Sequence, residues 1–137
     1  MIPPSRKPLT QFFGEWPEMY AQWGLSGHPG LDYACYFEEA RAADAGWVTI
    51  THEVVRGLCA TIEHLHGRTG YAHLRDVLVA NGAWVEQGEE FVITGNSGSA
   101  TTAPHLHFDY WPRDAGADNG YGGRVDPIPY FEGSDTV

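Results

Sequence analysis

Apolar residues in this chain recur at alternate positions over short stretches, and rarely at helical spacing. Gly46 to Val55 (GWVTITHEVV) is rich in β-branched residues, with Val48, Ile50 and His52 on one face of an extended strand. Leu58 to Leu65 (LCATIEHL), Gly70 to Leu74 (GYAHL), Trp84 to Gly95 (WVEQGEEFVITG) and His105 to Trp111 (HLHFDYW) supply further strands. Turn signals stand between them: HGRTG, NGAW and GNSGS. Two short helices are predicted. One covers Pro17 to Gly24, where Pro17 suits a first helical turn. The other covers Leu74 to Gly82, where Leu74, Val77 and Leu78 fall at helical spacing and Gly82 ends the run. Short strands divided by turns predict an all-β fold of antiparallel sheets, with short helices at most.

Composition narrows the classes of partner. A length of 137 residues predicts one domain over 1–137. A net charge of -10, with only eight Lys and Arg, excludes a nucleic-acid partner, because phosphate neutralisation needs clustered cations. It also removes the basic helix that docks on an anionic membrane. No apolar run is long enough to cross a bilayer, and MIPPSRKPLTQFFGEW lacks the apolar core of a signal peptide. The expectation is a soluble, monomeric chain without signal peptide or membrane insertion. Cys35 and Cys59 lack C-x-x-C spacing and read as buried small apolar residues. The glycine-rich stretch Arg113 to Arg124 (RDAGADNGYGGR) reads either as a mobile surface connection or as a wall beside a cleft.

Seven histidines in so short a chain raise a metal hypothesis, and spacing decides which of them carry it. In GHPGLD, His28 and Asp32 stand four apart across Pro29 and Gly30, so an extended backbone aims both at one point. In HLHFD, His105 and His107 share a strand face while Leu106 and Phe108 point into the core. Two imidazoles and a carboxylate make a catalytic zinc shell, with an open position for water. These four groups exceed the three ligands needed, so one histidine of the pair is free for proton transfer, and His73 is a further candidate for that work. The same tripeptide HLH occurs at His64 to His66. A cupin-like metal site also uses H-x-H, but wants a glutamate three or four residues beyond. Tyr110 and Trp111 follow His107, and Thr69 and Gly70 follow His66, so that reading lacks its carboxylate.

GHPGLD, then TGYAHL, then GNSGSATTAPHLHF, in this order, resemble the M23 family of zinc metallopeptidases, the lysostaphin and LytM-like peptidoglycan endopeptidases. The resemblance runs from about Leu9 to Phe131, with LTQFFGEWPEMY like the lead-in strand and turn and VDPIPYF like the closing segment. It implies a sheet with a central groove, and Zn2+ held by His28, Asp32 and His107. It implies His105 as the catalytic histidine beside the attacking water and His73 as the second histidine lining the cleft, holding the water or the developing oxyanion. The substrate implied is peptidoglycan, cut in its stems or cross-links, with D-Ala–meso-diaminopimelate the favoured bond. A single domain of this kind resembles a phage lytic enzyme, an endolysin or a virion-associated peptidase acting on the bacterial cell wall. His64 and His66 fall where the family has a strand without ligands, so they read as surface or hairpin residues, and His52 with them. The chain departs from the family between Asp32 and Gly46, where Glu38 and Glu39 occupy the place of a glycine-containing turn. The alternative function, a non-catalytic zinc-binding regulator of cell-wall enzymes, is disfavoured because all five site positions are kept.

Overall fold

Nine strands and one four-residue helix are laid down in a computed structural model that describes residues 1–133. The strands are β1 (Leu9–Gln11), β2 (Leu31–Tyr33), β3 (Glu39–Arg41), β4 (Gly46–Glu53), β5 (Gly57–Glu63), β6 (Gly67–Val77), β7 (Trp84–Val85), β8 (Glu90–Thr94) and β9 (Leu106–Pro112). The helix α1 (Pro17–Tyr20) runs into a 3-10 turn at Ala21–Trp23. All the pairings are antiparallel, in the order β1-β2-β9-β6-β5-β4-β7, with β8 against β6 and β3 against β8.

Alternation along β9 separates structure from chemistry. Leu106, Phe108 and Tyr110 enter the core, while His107, Asp109 and Trp111 occupy the opposite face. Tyr71 of β6 packs edge-on against Phe91 and Phe108, with ring centroids 4.8 and 5.3 Å away. Its hydroxyl accepts a 2.8 Å bond from the Ala43 amide, so the buried phenol is satisfied. Val48, Ile62, Val85 and Val92 complete the apolar layer. Cys35 and Cys59 are both buried and free, and burial pushes the Cys59 thiol up to about 12.

The long strand β6 changes partners partway. Gly67 to Ala72 pair with β9, whereas Leu74 to Val77 pair with β8. His73 sits at the branch with φ of 61°, a left-handed conformation within a strand. The predicted helix over Leu74 to Gly82 is therefore wrong. Leu74, Asp76 and Val77 pair with Thr94, Ile93 and Val92, and this ladder with β8 overrides the helical spacing of three apolar residues. The single strand expected from Trp84 to Gly95 is divided into β7 and β8 by a turn at Gly88, whose φ is 85°. On β4, Val48 is buried but His52 is exposed, because the end of that strand leaves the core. The predicted helix at Pro17 is present, though its α-helical part spans only Pro17–Tyr20.

The stretch lacking the expected glycine turn still builds an edge. Phe37 adopts φ of 51°, and Glu38 exchanges backbone and side-chain bonds with Thr94 at 2.8 and 3.0 Å. These bonds dock β3 onto β8. Truncating a fully buried ring of this layer, Phe91→Ala, is expected to cost about 3–5 kcal/mol in a urea titration of the metal-free protein. A loss below about 1 kcal/mol would show that the Tyr71–Phe91 contact does not organise the core.

Candidate metal centre

Asp32 on β2 lies directly opposite His107 on β9, so the pairing register places both side chains on one face. His28 precedes β2 in a loop tied by two backbone bonds, Gly14 N–H to His28 O and His28 N–H to Glu15 O, each 2.8 Å. Gly30 allows the close approach between them, since a Cβ there would stand 2.2 Å from the Phe108 carbonyl oxygen. The result is a tight triangle. His28 Nε2 lies 3.2 Å from Asp32 Oδ1 and 3.2 Å from His107 Nδ1, and His107 Nδ1 lies 3.0 Å from Asp32 Oδ1.

The outer nitrogens determine what those inner atoms carry. His28 Nδ1–H donates to the Phe12 carbonyl at 3.1 Å, which leaves a lone pair on Nε2. His107 Nε2–H donates to Asp109 Oδ2 at 3.3 Å, which leaves a lone pair on Nδ1. Two imidazole lone pairs and a carboxylate oxygen thus face one another, an arrangement that needs a cation or shared protons between them. The spacing fits zinc, since ligand bonds of about 2.0–2.1 Å in a tetrahedral shell set the ligand atoms about 3.3 Å apart. Without a cation, protons on the inner nitrogens of His107 and His28 would take its place. Burial alone would raise the Asp32 carboxyl, but these protons hold it well below the usual carboxylate range.

Asp109, which bonds to His107 at the edge of the triangle, was missed by the sequence reading. It is fully buried, and its Oδ2 also receives Arg56 Nη2 at 3.1 Å and Arg124 Nε at 2.9 Å. Burial would raise this carboxyl, yet Arg56, His107 and Arg124 hold it far below the ordinary range. Gly70 makes room for it, because a Cβ at that position would stand 2.1 Å from Asp109 Oδ1. Alternation in HLHFD places Asp109 on the face of His107, so its position was legible. The two arginines, distant in sequence, were not.

His73 and His105 stand beside the triangle with ring centroids 4.8 Å apart. The strand branch turns His73 onto the ligand face, and its Nδ1–H donates to the Ser97 carbonyl at 2.7 Å. His105 is set at the head of β9 by an isolated bridge to Gly95, and its Nδ1–H donates to the Ala103 carbonyl at 2.9 Å. Both rings therefore keep a free Nε2, and that of His105 lies 3.7 Å from Asp32 Oδ2. Burial pushes His73 down to about 4, so it is neutral near pH 7.

The first HLH is built differently. His64 is buried rather than on the surface, donating from Nδ1 to the Ala45 carbonyl at 2.7 Å and accepting at Nε2 from Thr69 at 2.8 Å. His66 stacks on it, accepts from the Tyr110 hydroxyl at 2.8 Å and donates to Asp44 at 3.0 Å. All four ring nitrogens are occupied in fastening the hairpin. The exposed His52 takes no part in either cluster.

A groove of about 640 Å³ opens over the centre. Its lining includes Asp32, His73, His105 and His107, the apolar Trp16, Met19 and Trp23, and the charged Glu53, Arg56 and Arg124. Tyr33 belongs to the core, and Tyr121 packs on Phe13 at 4.3 Å.

An antiparallel sheet carrying such a three-ligand centre at the foot of an open groove has the make-up of a metal-dependent hydrolase. The chain belongs to Peptidase family M23, whose model matches residues 26–127. The catalytic domain of lysostaphin from Staphylococcus simulans is similar in fold, with a TM-score of 0.75, 22% identity, and 90% of this chain and 91% of that domain covered. A zinc-containing peptidase from Vibrio cholerae superposes with a TM-score of 0.73 at 24% identity, covering 91% of this chain and 37% of that one. An uncharacterized metalloprotease of Haemophilus influenzae is 44% identical over 48 residues, and the match takes in 33% of this chain and 10% of that protein.

Asp109→Asn weakens the charge on the His107 bond without changing its shape. It is expected to lower zinc affinity about 10- to 100-fold by competition with a chelating dye, while circular dichroism stays unchanged. Undiminished affinity would remove Asp109 from the account of the centre.

Proposed function

We propose that this chain is a zinc endopeptidase that hydrolyses peptide bonds in peptidoglycan stems or cross-links, with the D-Ala–meso-diaminopimelate bond as its preferred target. The observation that carries this reading is the inward-facing triangle of His28 Nε2, Asp32 Oδ1 and His107 Nδ1, beside two further imidazoles with free Nε2 atoms. Family membership and the lysostaphin-like fold supply the substrate class.

In this reading His28, Asp32 and His107 hold zinc, which supplies Lewis acidity toward the scissile carbonyl and lowers the pKa of a water. His105, whose Nε2 points at Asp32, accepts the proton released as that water attacks, and returns it to the departing amine. His73 has a different task. With Nδ1–H committed to Ser97 and its pKa depressed, its Nε2 accepts a hydrogen bond and so orients the water. The same tautomer makes it a poor donor to a developing oxyanion. The groove walls position the peptide, and the apolar side formed by Trp16, Met19 and Trp23 sheds water from the reacting bond.

His105→Ala is expected to keep its zinc and lose about 10²–10⁴-fold in kcat. His107→Ala is expected to lose the metal itself. The test is a mass spectrum of muropeptides after the pure protein meets diaminopimelate-type peptidoglycan, with and without chelator. Loss of cross-linked dimers that the chelator abolishes supports the proposal. Intact dimers with zinc still bound, and glycine bridges likewise intact, would favour a zinc-binding regulator of wall enzymes instead.

A further inference from the structure

We infer that Arg56 and Arg124 form a carboxylate-reading subsite beside the metal centre, which takes the free carboxylate of the residue on the amine side of the cleaved bond. The inference rests on the endopeptidase reading above and deepens it by naming a chemical feature of the substrate.

The two guanidiniums reach the groove from separate places. Arg56 belongs to the turn between β4 and β5, and Arg124 ends the glycine-rich stretch whose role the sequence left open. Both bond to the same oxygen, Asp109 Oδ2, at 3.1 and 2.9 Å. One buried carboxylate balances one of these charges. Glu53 approaches Arg56 only to 3.8 Å with a side chain 43% exposed, so solvent screens it. In a chain of net charge -10, these two guanidiniums are the arginine side chains that line the groove.

Those donors are held ready for an anion. The Trp111 ring stacks between Arg124 at 4.6 Å and Arg68 at 4.4 Å, which fixes the Arg124 plane. Arg124 Nη1 is spent on the Tyr121 carbonyl at 3.1 Å. Arg124 Nη2 and Arg56 Nε bond to nothing among the described residues, although both side chains are only 17% and 19% exposed. Half-buried, pre-oriented N–H groups without partners suit a carboxylate, which takes charge-assisted bonds from a guanidinium fork.

Their place relative to the centre gives the ligand its position. Asp109 Oδ2 is 3.3 Å from His107 Nε2, so the guanidiniums stand one carboxylate and one imidazole ring from the metal-facing nitrogen. Both guanidiniums also line the groove over the centre, and that groove is the route by which a substituent on the carbon next to the scissile nitrogen would meet them. In a D-Ala–meso-diaminopimelate cross-link this carbon carries a free carboxylate. In a glycine bridge it carries only hydrogens and an amide. The subsite therefore explains a preference for the first linkage through one charged group.

The experiment uses the zinc-loaded wild-type protein and two muropeptide dimers that differ only at that diaminopimelate carboxylate, free in one and amidated in the other. The free acid is expected to be cut about 10- to 100-fold faster in kcat/KM, the size of one or two charge-assisted bonds. Arg124→Gln, with zinc content unchanged, should bring the ratio close to one, and Arg124→Lys should restore part of it. Equal rates on the two dimers with the wild type, or a full ratio retained in Arg124→Gln, would overturn the subsite while leaving the endopeptidase standing. Failure to cut either dimer would overturn the reading of the bond and the subsite together. The wild-type comparison decides even if a variant fails to fold.

Discussion

Three lone pairs that face one another across 3.0 to 3.2 Å are the constraint on which the rest of this protein depends. Left empty of positive charge, such a cluster repels itself, and its burial magnifies the repulsion. The outer bonds fix the orientation of the rings, so the cluster is relieved by a cation or by protons shared across it. Phe12 holds His28 by its Nδ1, and Asp109 holds His107 by its Nε2. These hydrogen bonds direct the inner nitrogens at one point, an arrangement suited to a cation at the centre. Metal binding is then coupled to the stability of the fold, since the same ion that relieves the cluster binds only the folded state.

Sheet topology meets this constraint with few devices. The direct pairing of Asp32 with His107 brings two corners of the triangle together from one cross-strand register. The change of partner within β6 supplies His73, because a strand shared between β9 and β8 must bend, and the bend falls on that residue. Gly70 and Gly30 keep the neighbouring strands bare where Asp109 and the Phe108 carbonyl need space. None of these features adds to the apolar layer formed by Tyr71, Phe91 and Phe108 on the other face. The apolar layer and the histidine–aspartate cluster occupy opposite sides of the same strands.

Most of the strands were legible because β-branched and aromatic residues alternate along them. Leu74 to Val77 was misread since three apolar residues at helical spacing look the same whether they wind as a helix or pair with β8. The three-residue strands β2 and β3 went unnoticed for lack of length, and β3 also because Phe37 makes its turn without glycine. Of the side chains gathered at or beside the triangle, His28, Asp32, His105 and His107 stood out by spacing, and His73 through the family resemblance. Arg56 and Arg124 did not, since nothing local to either residue points to a carboxylate on a third strand. His64 and His66 show the opposite case, a motif repeated in letters whose nitrogens are already committed to Ala45, Thr69, Tyr110 and Asp44.

The most direct test of the central claim is the anomalous difference density of a zinc-loaded crystal, recorded on both sides of the zinc absorption edge. The account predicts one strong peak bounded by His28 Nε2, Asp32 Oδ1 and His107 Nδ1, at about 2.0–2.2 Å from each. A peak ligated by His105 or His73 in place of one of these, or a peak at the His66–Asp44 pair with the triangle empty, would contradict it.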